Sequence, residues 1–488
     1  MSSVSNITNT ILCKEGYLIP KNEDNKSIIE SVKKELTVKP YKMPTFNKKE
    51  DTEFPVYQEN EQYINIPKHY GLKKFGKPSK NKEIKGETID ITFNGELRPK
   101  QKEIINLVIP YLETNDGGVL CLPCAAGKTV LSLYIASLFK VKTLVIVHKT
   151  FLLNQWKERA QEFTNASVGI IQQNKVEVDG KDIVIGMLQS IAKEKYDSEI
   201  FRDFGMVIFD EAHHAPSEYF SKALPLIAAK ITIGLSATPK RSDKLEKILY
   251  WYFGDIMYKT NVEENSKVLV NIVNYEITHE KFREFKLRTG DINRAKTINK
   301  LTTIGRRNKF IVNTMEEVLQ ENDRKILVLS DRIEHLKALK NRIDEREIAS
   351  TDFYIGGMKQ KALKIAETAQ VIFASYGMAA EALDIPDLNT LFMVTSRKEV
   401  EQAIGRVIRK IVPHIRPLIY DFVDQIPTFI RQGHYRRKLY KKMGFEIRII
   451  EVKENEIIRE IDLNDNNDVS NIKSQSTIVK NDDCDFVD

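Results

Sequence analysis

The 488-residue sequence predicts an α/β protein with two tandem parallel sheets, each covered by helices on both faces. Two observations carry that expectation. Short runs that are apolar throughout, such as residues 118–122, 143–147 and 206–209, alternate with stretches of helical period. Strands apolar on both faces belong to sheets buried on both sides. The pattern also stops near residue 260 and restarts near 325, which at roughly 150 residues per domain suggests two such sheets and a smaller third region. A composition 42% hydrophobic and 29% charged can bury sizeable cores, so a wholly disordered or collagen-like chain is excluded.

Residues 1–90 read as a small accessory domain of short strands. Prolines at 40, 44, 55, 67 and 78 argue against long helices there. Its stretch 68–85 holds seven lysines and one acid, Glu83, which fits either a solvated linker or a phosphate-contacting surface. Residues 91–260 form the first α/β domain, with strands expected at 118–122, 143–147, 183–185, 206–209 and 231–235. Residues 261–310 read as a connector holding one strand, 268–273, and a charged helical segment. The second α/β domain, 311–450, takes strands at 325–329, 370–374, 391–394 and 417–420 and a helix at 335–342. Residues 451–488 read as an acidic tail whose NDNNDVS stretch is too polar to offset its ordering entropy.

Charge is unevenly spread. The whole chain carries +7, but the last 38 residues hold eleven acids and four bases, so residues 1–450 carry +14. A basic body favours a polyanionic partner. No run approaches the roughly 18 to 20 apolar residues of a membrane span, and the first residues lack the basic-then-apolar order of a signal peptide. Four cysteines cannot staple a chain this long, which suggests a reducing, intracellular compartment.

The sharpest local signal is GVLCLPCAAGKTVLSLYIASLF, residues 118–139. A buried strand runs into a turn of small residues and then an amphipathic helix. In that order the turn (Cys124, Ala125, Ala126, Gly127) and the helix N-terminus offer backbone N–H groups to a phosphate. Lys128 meets the terminal phosphates, and the Thr129 hydroxyl reaches Mg²⁺. The strict pattern opens on glycine where this chain has Leu122. A metal partner is expected at the end of another buried strand, and 206–209 leads directly into Asp210-Glu211-Ala212-His213. Asp210 can hold Mg²⁺, and Glu211 can polarise an attacking water. His213 and His214 have no cysteine or third histidine nearby in sequence, which argues against zinc. Cys121 and Cys124 form a CxxC without a second pair and read as structural filler.

In the second domain, EQAIGRVIR (401–409) places Arg406 and Arg409 three residues apart on one helix face. Set among Ala403, Ile404 and Val407, these arginines want an anionic partner. A γ-phosphate is one, and Gln402 joins them as a candidate catalytic residue.

Together these segments resemble the superfamily 2 helicases and translocases, over residues 95–450. The resemblance implies two RecA-like domains with an ATP site in the cleft between them. Leu97-Arg98-Pro99-Lys100-Gln101 resembles the segment in which Gln101 reads adenine, with Arg98 alongside. HKT (148–150) with LNQW (153–156) resembles a nucleic-acid-contacting motif through His148 and Lys149. GMLQS (186–190) resembles a further contact through Gln189 and Ser190. Ser236-Ala237-Thr238 matches the motif that couples hydrolysis to domain movement. By the same resemblance Gly356 and Ser375 face nucleic acid and Asp384 approaches the nucleotide sugar, although Ala382 stands where relatives have glycine. LRPKQ, LPCAAGKT and GRVIR are similar to the DNA-oriented group that includes the TFIIH translocase and phage recombination helicases. The DEAH RNA helicases carry glycine where this chain has Ile408. The overall pattern resembles the poxvirus-type transcript-release helicases of large cytoplasmic DNA viruses.

The resemblance implies ATP and Mg²⁺ as cofactors and DNA, duplex or forked, as track, with RNA or an RNA–DNA hybrid as alternatives. It also implies contact with a viral RNA polymerase, activity as a monomer, and location in the host cytoplasm and virion. A repair or recombination helicase needs the same motor residues, and an ATP-gated scaffold needs only some of them. The segment 431–442, with Arg431, Arg436 and Arg437 among its bases, reads as a track for a phosphate backbone or as a charged surface helix.

Overall fold

The computed structural model describes residues 7–41, 53–123, 126–193, 196–221, 223–237, 241, 243–260, 268–381, 385, 387–407 and 415–463. The chain divides into two compact units, residues 1–260 and 261–488.

The first unit is built on an eight-stranded sheet. Its strand order is Lys175–Val176, Val168–Gln172, Ile183–Met187, Thr143–Val147, Met206–Phe209, Ile231–Ser236, Gly117–Cys121, Ile256–Lys259. All neighbours run parallel except the outermost pair, Val168–Gln172 with Lys175–Val176. Every residue of Thr143–Val147 and Ile183–Met187 is buried, as expected for strands sandwiched between helices. The register sets Ser236 opposite Cys121 and Phe209 opposite Gly234, so three strands end together at one edge. In open parallel sheets, ligands bind outside such carboxyl ends.

Residues 7–90 form their own five-stranded sheet yet belong to this first unit. Helix Lys68–Phe75 fastens it. The Lys68 ammonium pairs with Glu83 at 2.5 Å and donates to the Lys230 carbonyl at 2.8 Å, His69 Nε2 meets Thr232 Oγ1 at 3.1 Å, and Lys73 pairs with Asp255 at 2.8 Å. Gly86 approaches Gly205 so closely that a Cβ would lie 2.3 Å from its backbone. An 11-residue helix, Lys26–Leu36, also forms where only short strands were expected. It lies wholly ahead of Pro40, in a stretch with no proline, and buries Ile29, Val32 and Leu36 on one face. Of the seven lysines in 68–85, Lys68, Lys73 and Lys74 are spent in ion pairs, while Lys77, Lys80, Lys82 and Lys85 are exposed.

The second unit holds another eight-stranded sheet. Its order is Thr351–Tyr354, Val371–Ser375, Ile326–Ser330, Thr390–Met393, Leu418–Asp424, Leu269–Glu276, Glu446–Lys453, Glu456–Asp462, parallel except for the last pair. Two expected boundaries are corrected here. The connector 261–310 is no linker, because its strand Leu269–Glu276 lies inside the sheet, between Leu418–Asp424 and Glu446–Lys453. Its helix Gly305–Leu319 sends Arg307 onto Asp424 at 2.6 Å, with both side chains fully buried.

The sheet also does not end at 450. Glu446–Lys453 and Glu456–Asp462 form a hairpin whose turn, Glu454-Asn455, has φ of 51° and 70°, the positive pair that tight hairpins favour. Ile457 and Ile461 stand across from Val452 and Ile449, and Arg448 pairs with Asp462 at 2.8 Å. Ile447, Ile449, Ile450, Ile457, Ile458 and Ile461 lie among the acids here, strand-forming residues that the net charge of the stretch concealed. Residues 464–488 of the expected tail lie outside the described residues. Among the described residues no helix is long and apolar enough to cross a membrane.

Candidate active site

The strand Gly117–Cys121 runs into Leu122, and helix Lys128–Phe139 begins six residues after it. Gly127 caps that helix with φ +82°, and a Cβ there would strike Gln101 Nε2 at 2.3 Å and the Arg98 guanidinium at 2.9 Å. Glycine is therefore required by both backbone and space. Gln101 braces the turn: its Nε2 donates to the Ala126 carbonyl at 3.2 Å, and its Oε1 accepts from the Arg98 N–H at 2.9 Å. Arg98 is exposed beside it and Thr129 half-buried. Cys124 and Ala125 lie outside the described residues.

Two strands away, Met206–Phe209 ends in Asp210, which is 7% exposed. Both of its oxygens are held. Oδ2 accepts from the Trp156 indole at 2.8 Å, and Oδ1 accepts from the Glu211 N–H at 3.0 Å. Burial pushes the Asp210 carboxyl upward and the adjacent Glu211 charge adds to this, while Lys128 and the indole N–H oppose them. Glu211 has φ +49°, a left-handed conformation that costs a non-glycine residue energy and turns its carboxylate back toward the phosphate turn. Its Oε1 lies 3.5 Å from the Lys128 ammonium and its Oε2 3.3 Å from His213 Nδ1.

His213 Nδ1 also lies 3.2 Å from Ser236 Oγ, at the end of the intervening strand. Burial lowers the His213 pKa and Glu211 opposes that shift, so the ring is neutral near pH 7. Arg241, paired with Asp243, donates to the His213 carbonyl. The His213, His214 and His148 rings follow one another with centroids 4.3 and 4.1 Å apart. Among the described residues no cluster of three or more His, Cys, Asp or Glu side chains is arranged to hold a metal ion. Thr129 and Asp210 supply hard oxygen donors of the kind Mg²⁺ takes, two at most, which suits an ion whose other ligands are phosphate and water. Cys121 is buried, and burial pushes its thiol up to about 11, so it is an inert core group.

The structure places the nucleic-acid candidates unevenly. Lys149 precedes helix Thr150–Phe163, and Gln189 is exposed, its amide donating to the His148 carbonyl at 2.5 Å. Ser190 is buried and accepts from the Gln173 N–H at 3.0 Å. In the second unit, Gly356 is open to solvent and Ser375 half-buried at a strand end. Helix Pro427–Lys442 presents Arg431, His434, Tyr435, Lys438, Lys441 and Lys442 to solvent, with Arg437 at the margin. Arg436 is corrected. It is 1% exposed, binds Asp421 through Nε and NH2 at 2.8 Å each, and donates to the Arg397 carbonyl at 2.6 Å. At residue 436 the helix faces the sheet, so this guanidinium is spent inside the unit.

Ala237 follows its strand, while Thr238, Ala382, Asp384 and Arg409 lie outside the described residues. Gln402 is half-buried in helix Glu401–Val407, which also carries the backbone of Arg406. Sequence reasoning missed Arg241 and the bond from Trp156 to Asp210. The second was detectable in part, since a buried indole N–H needs an acceptor.

The family profile described as type III restriction enzyme, res subunit, matches residues 94–241. A protein of Acanthamoeba polyphaga mimivirus, named as a candidate ATP-dependent RNA helicase, is 37% identical over 91% of this chain and 87% of its own length. A candidate helicase of Escherichia phage T5 is 26% identical over 69% of this chain and 74% of its own. The DNA 3′–5′ translocase XPB2 of Sulfurisphaera tokodaii is 36% identical over 35% of this chain and 37% of its own.

Proposed function

The chain belongs to the superfamily 2 helicases, and from that premise we propose an ATP-driven DNA translocase that acts in viral transcription termination and transcript release. The observation that carries the motor chemistry is the convergence of Lys128, Asp210 and Glu211 at one sheet edge. Lys128 and the turn N–H groups bind the ATP phosphates, Thr129 and Asp210 hold Mg²⁺, and Arg98 with Gln101 flanks the adenine. Bound Mg²⁺ supplies charge neutralisation at the β- and γ-phosphates. Glu211 orients the attacking water, and Arg406, Arg409 and Gln402 stabilise the phosphoryl group in flight. Asp384 contacts the sugar.

The His213–Ser236 contact supports a coupling role for Ser236, Ala237 and Thr238, since it ties the water-orienting carboxylate to the neighbouring strand end. DNA as track is supported by the XPB2 relative and by the +14 charge of residues 1–450. In the second unit we assign backbone contacts to the exposed basic face of Pro427–Lys442, with Gly356 and Ser375, and in the first unit to Lys149 and Gln189, with His148 buried behind them. The mimivirus relative's name favours RNA, which makes an RNA helicase the second reading.

Purified, stalled transcription elongation complexes test the proposal beside a forked-duplex unwinding assay. ATP-dependent RNA release, lost in Lys128→Ala, is the expected result. Fork remodelling without release would replace this role with repair or recombination.

A further inference from the structure

We propose that Trp156 is a positioning residue for the divalent cation, its indole N–H fixing the Asp210 carboxylate in the orientation that receives the metal. The inference rests on the reading of Asp210 as a cation ligand. Trp156 is 1% exposed in helix Thr150–Phe163, and its Nε1 donates to Asp210 Oδ2 at 2.8 Å. The Glu211 N–H takes Oδ1 at 3.0 Å. A carboxylate offers about four lone-pair sites, so these two bonds fix its plane and leave further sites for a cation or its water shell.

The choice of residue is informative. Filling the core needs only an apolar side chain, and the helix buries Leu152, Leu153 and Ala160 for that purpose. Indole adds a donor with no acceptor, so it holds the carboxylate without competing for the metal. Partners that orient a ligating carboxylate typically contribute 10- to 100-fold, as order of magnitude, to metal affinity or activity. The same helix starts directly after His148 and Lys149, the segment assigned to nucleic acid.

The test uses the full chain and a nonhydrolysable ATP analogue, measuring the factor by which saturating Mn²⁺ tightens analogue binding. Trp156→Phe removes the N–H and keeps an aromatic core. The expected result is a factor reduced by about 10-fold, with metal-free analogue affinity and DNA affinity within about twofold of the parent. An equal factor in parent and variant overturns the proposal alone. No metal-dependent tightening in the parent overturns the reading of Asp210 and the proposal with it. Should the variant fail to fold, Trp251→Phe leaves Trp156 as the sole tryptophan of the two in the chain. Its emission should then shift when Mg²⁺ is added to the analogue-loaded protein, and an unchanged spectrum overturns the proposal.

Discussion

The Lys128 ammonium stands 3.5 Å from Glu211 Oε1, with each side chain 12% exposed. At that depth opposite charges attract more strongly than on the surface, so each group holds the other in place. The tasks proposed for the two differ, one toward phosphate and one toward water. Glu211→Gln keeps the shape and removes the charge. Its kcat should fall by about 100-fold or more, on the order of 3 kcal/mol, while ATP affinity stays close to the parent's. Turnover at the parent rate would remove Glu211 from the water-orienting role.

Arg436 and its neighbours on helix Pro427–Lys442 should separate cleanly. Arg436→Ala strands the buried Asp421 carboxylate, so urea unfolding should show a loss of about 3–5 kcal/mol. Replacing exposed Arg431, Lys438 and Lys441 together should leave stability within about 1 kcal/mol. The same triple change should flatten the salt dependence of DNA binding, by about one unit of log–log slope for every phosphate that the helix no longer neutralises. An unchanged slope would reassign that face to plain solvation.

Ser236→Ala deletes the hydroxyl 3.2 Å from His213 Nδ1 without touching Lys128, Asp210 or Glu211. ATP turnover should stay within about threefold of the parent, while strand separation per ATP falls by about 10-fold. A parallel fall in both activities would make this contact part of the ATP site itself.

His335 gives a pH signature independent of catalysis. It is buried between Ser330 Oγ at 3.1 Å and Asn308 Oδ1 at 3.0 Å, and burial followed by the Arg307 charge holds its pKa well below the ordinary value. The folded ring is thus neutral where the unfolded ring takes a proton. Its contribution is complete above the unfolded pKa of about 6.5 and declines as pH falls below it, by up to about 1.4 kcal/mol per pH unit. Chemical unfolding at pH 7.5, 6.0 and 5.0 should show a shallower acid decline for His335→Gln than for the parent. Identical slopes would mean that the folded ring also charges.

The sheets were legible because their strands are apolar on both faces, and strand Gly117–Cys121 with helix Lys128–Phe139 because they follow in the order a phosphate-binding turn requires. Position in a sheet was less legible. Leu269–Glu276 reads as an isolated run, yet it pairs with strands about 150 and 180 residues later, and only tertiary contact shows that. The hairpin at 446–462 was hidden because residues 451–488 are strongly acidic as a whole and Glu456–Asp462 is exposed along nearly all its length. Arg436 was misread because charge suggests exposure, whereas its partner Asp421 lies on a separate strand. The bond from Trp156 to Asp210 joins residues 54 apart, beyond any local pattern.

DNA is proposed above to drive the ATP cycle of this site. Steady-state ATPase measured against duplex DNA and against RNA of the same length and sequence tests it most directly. The expected result is at least about a 10-fold rise in kcat with DNA, little rise with RNA, and no DNA response in Glu211→Gln. Stimulation by RNA with none by DNA would contradict it.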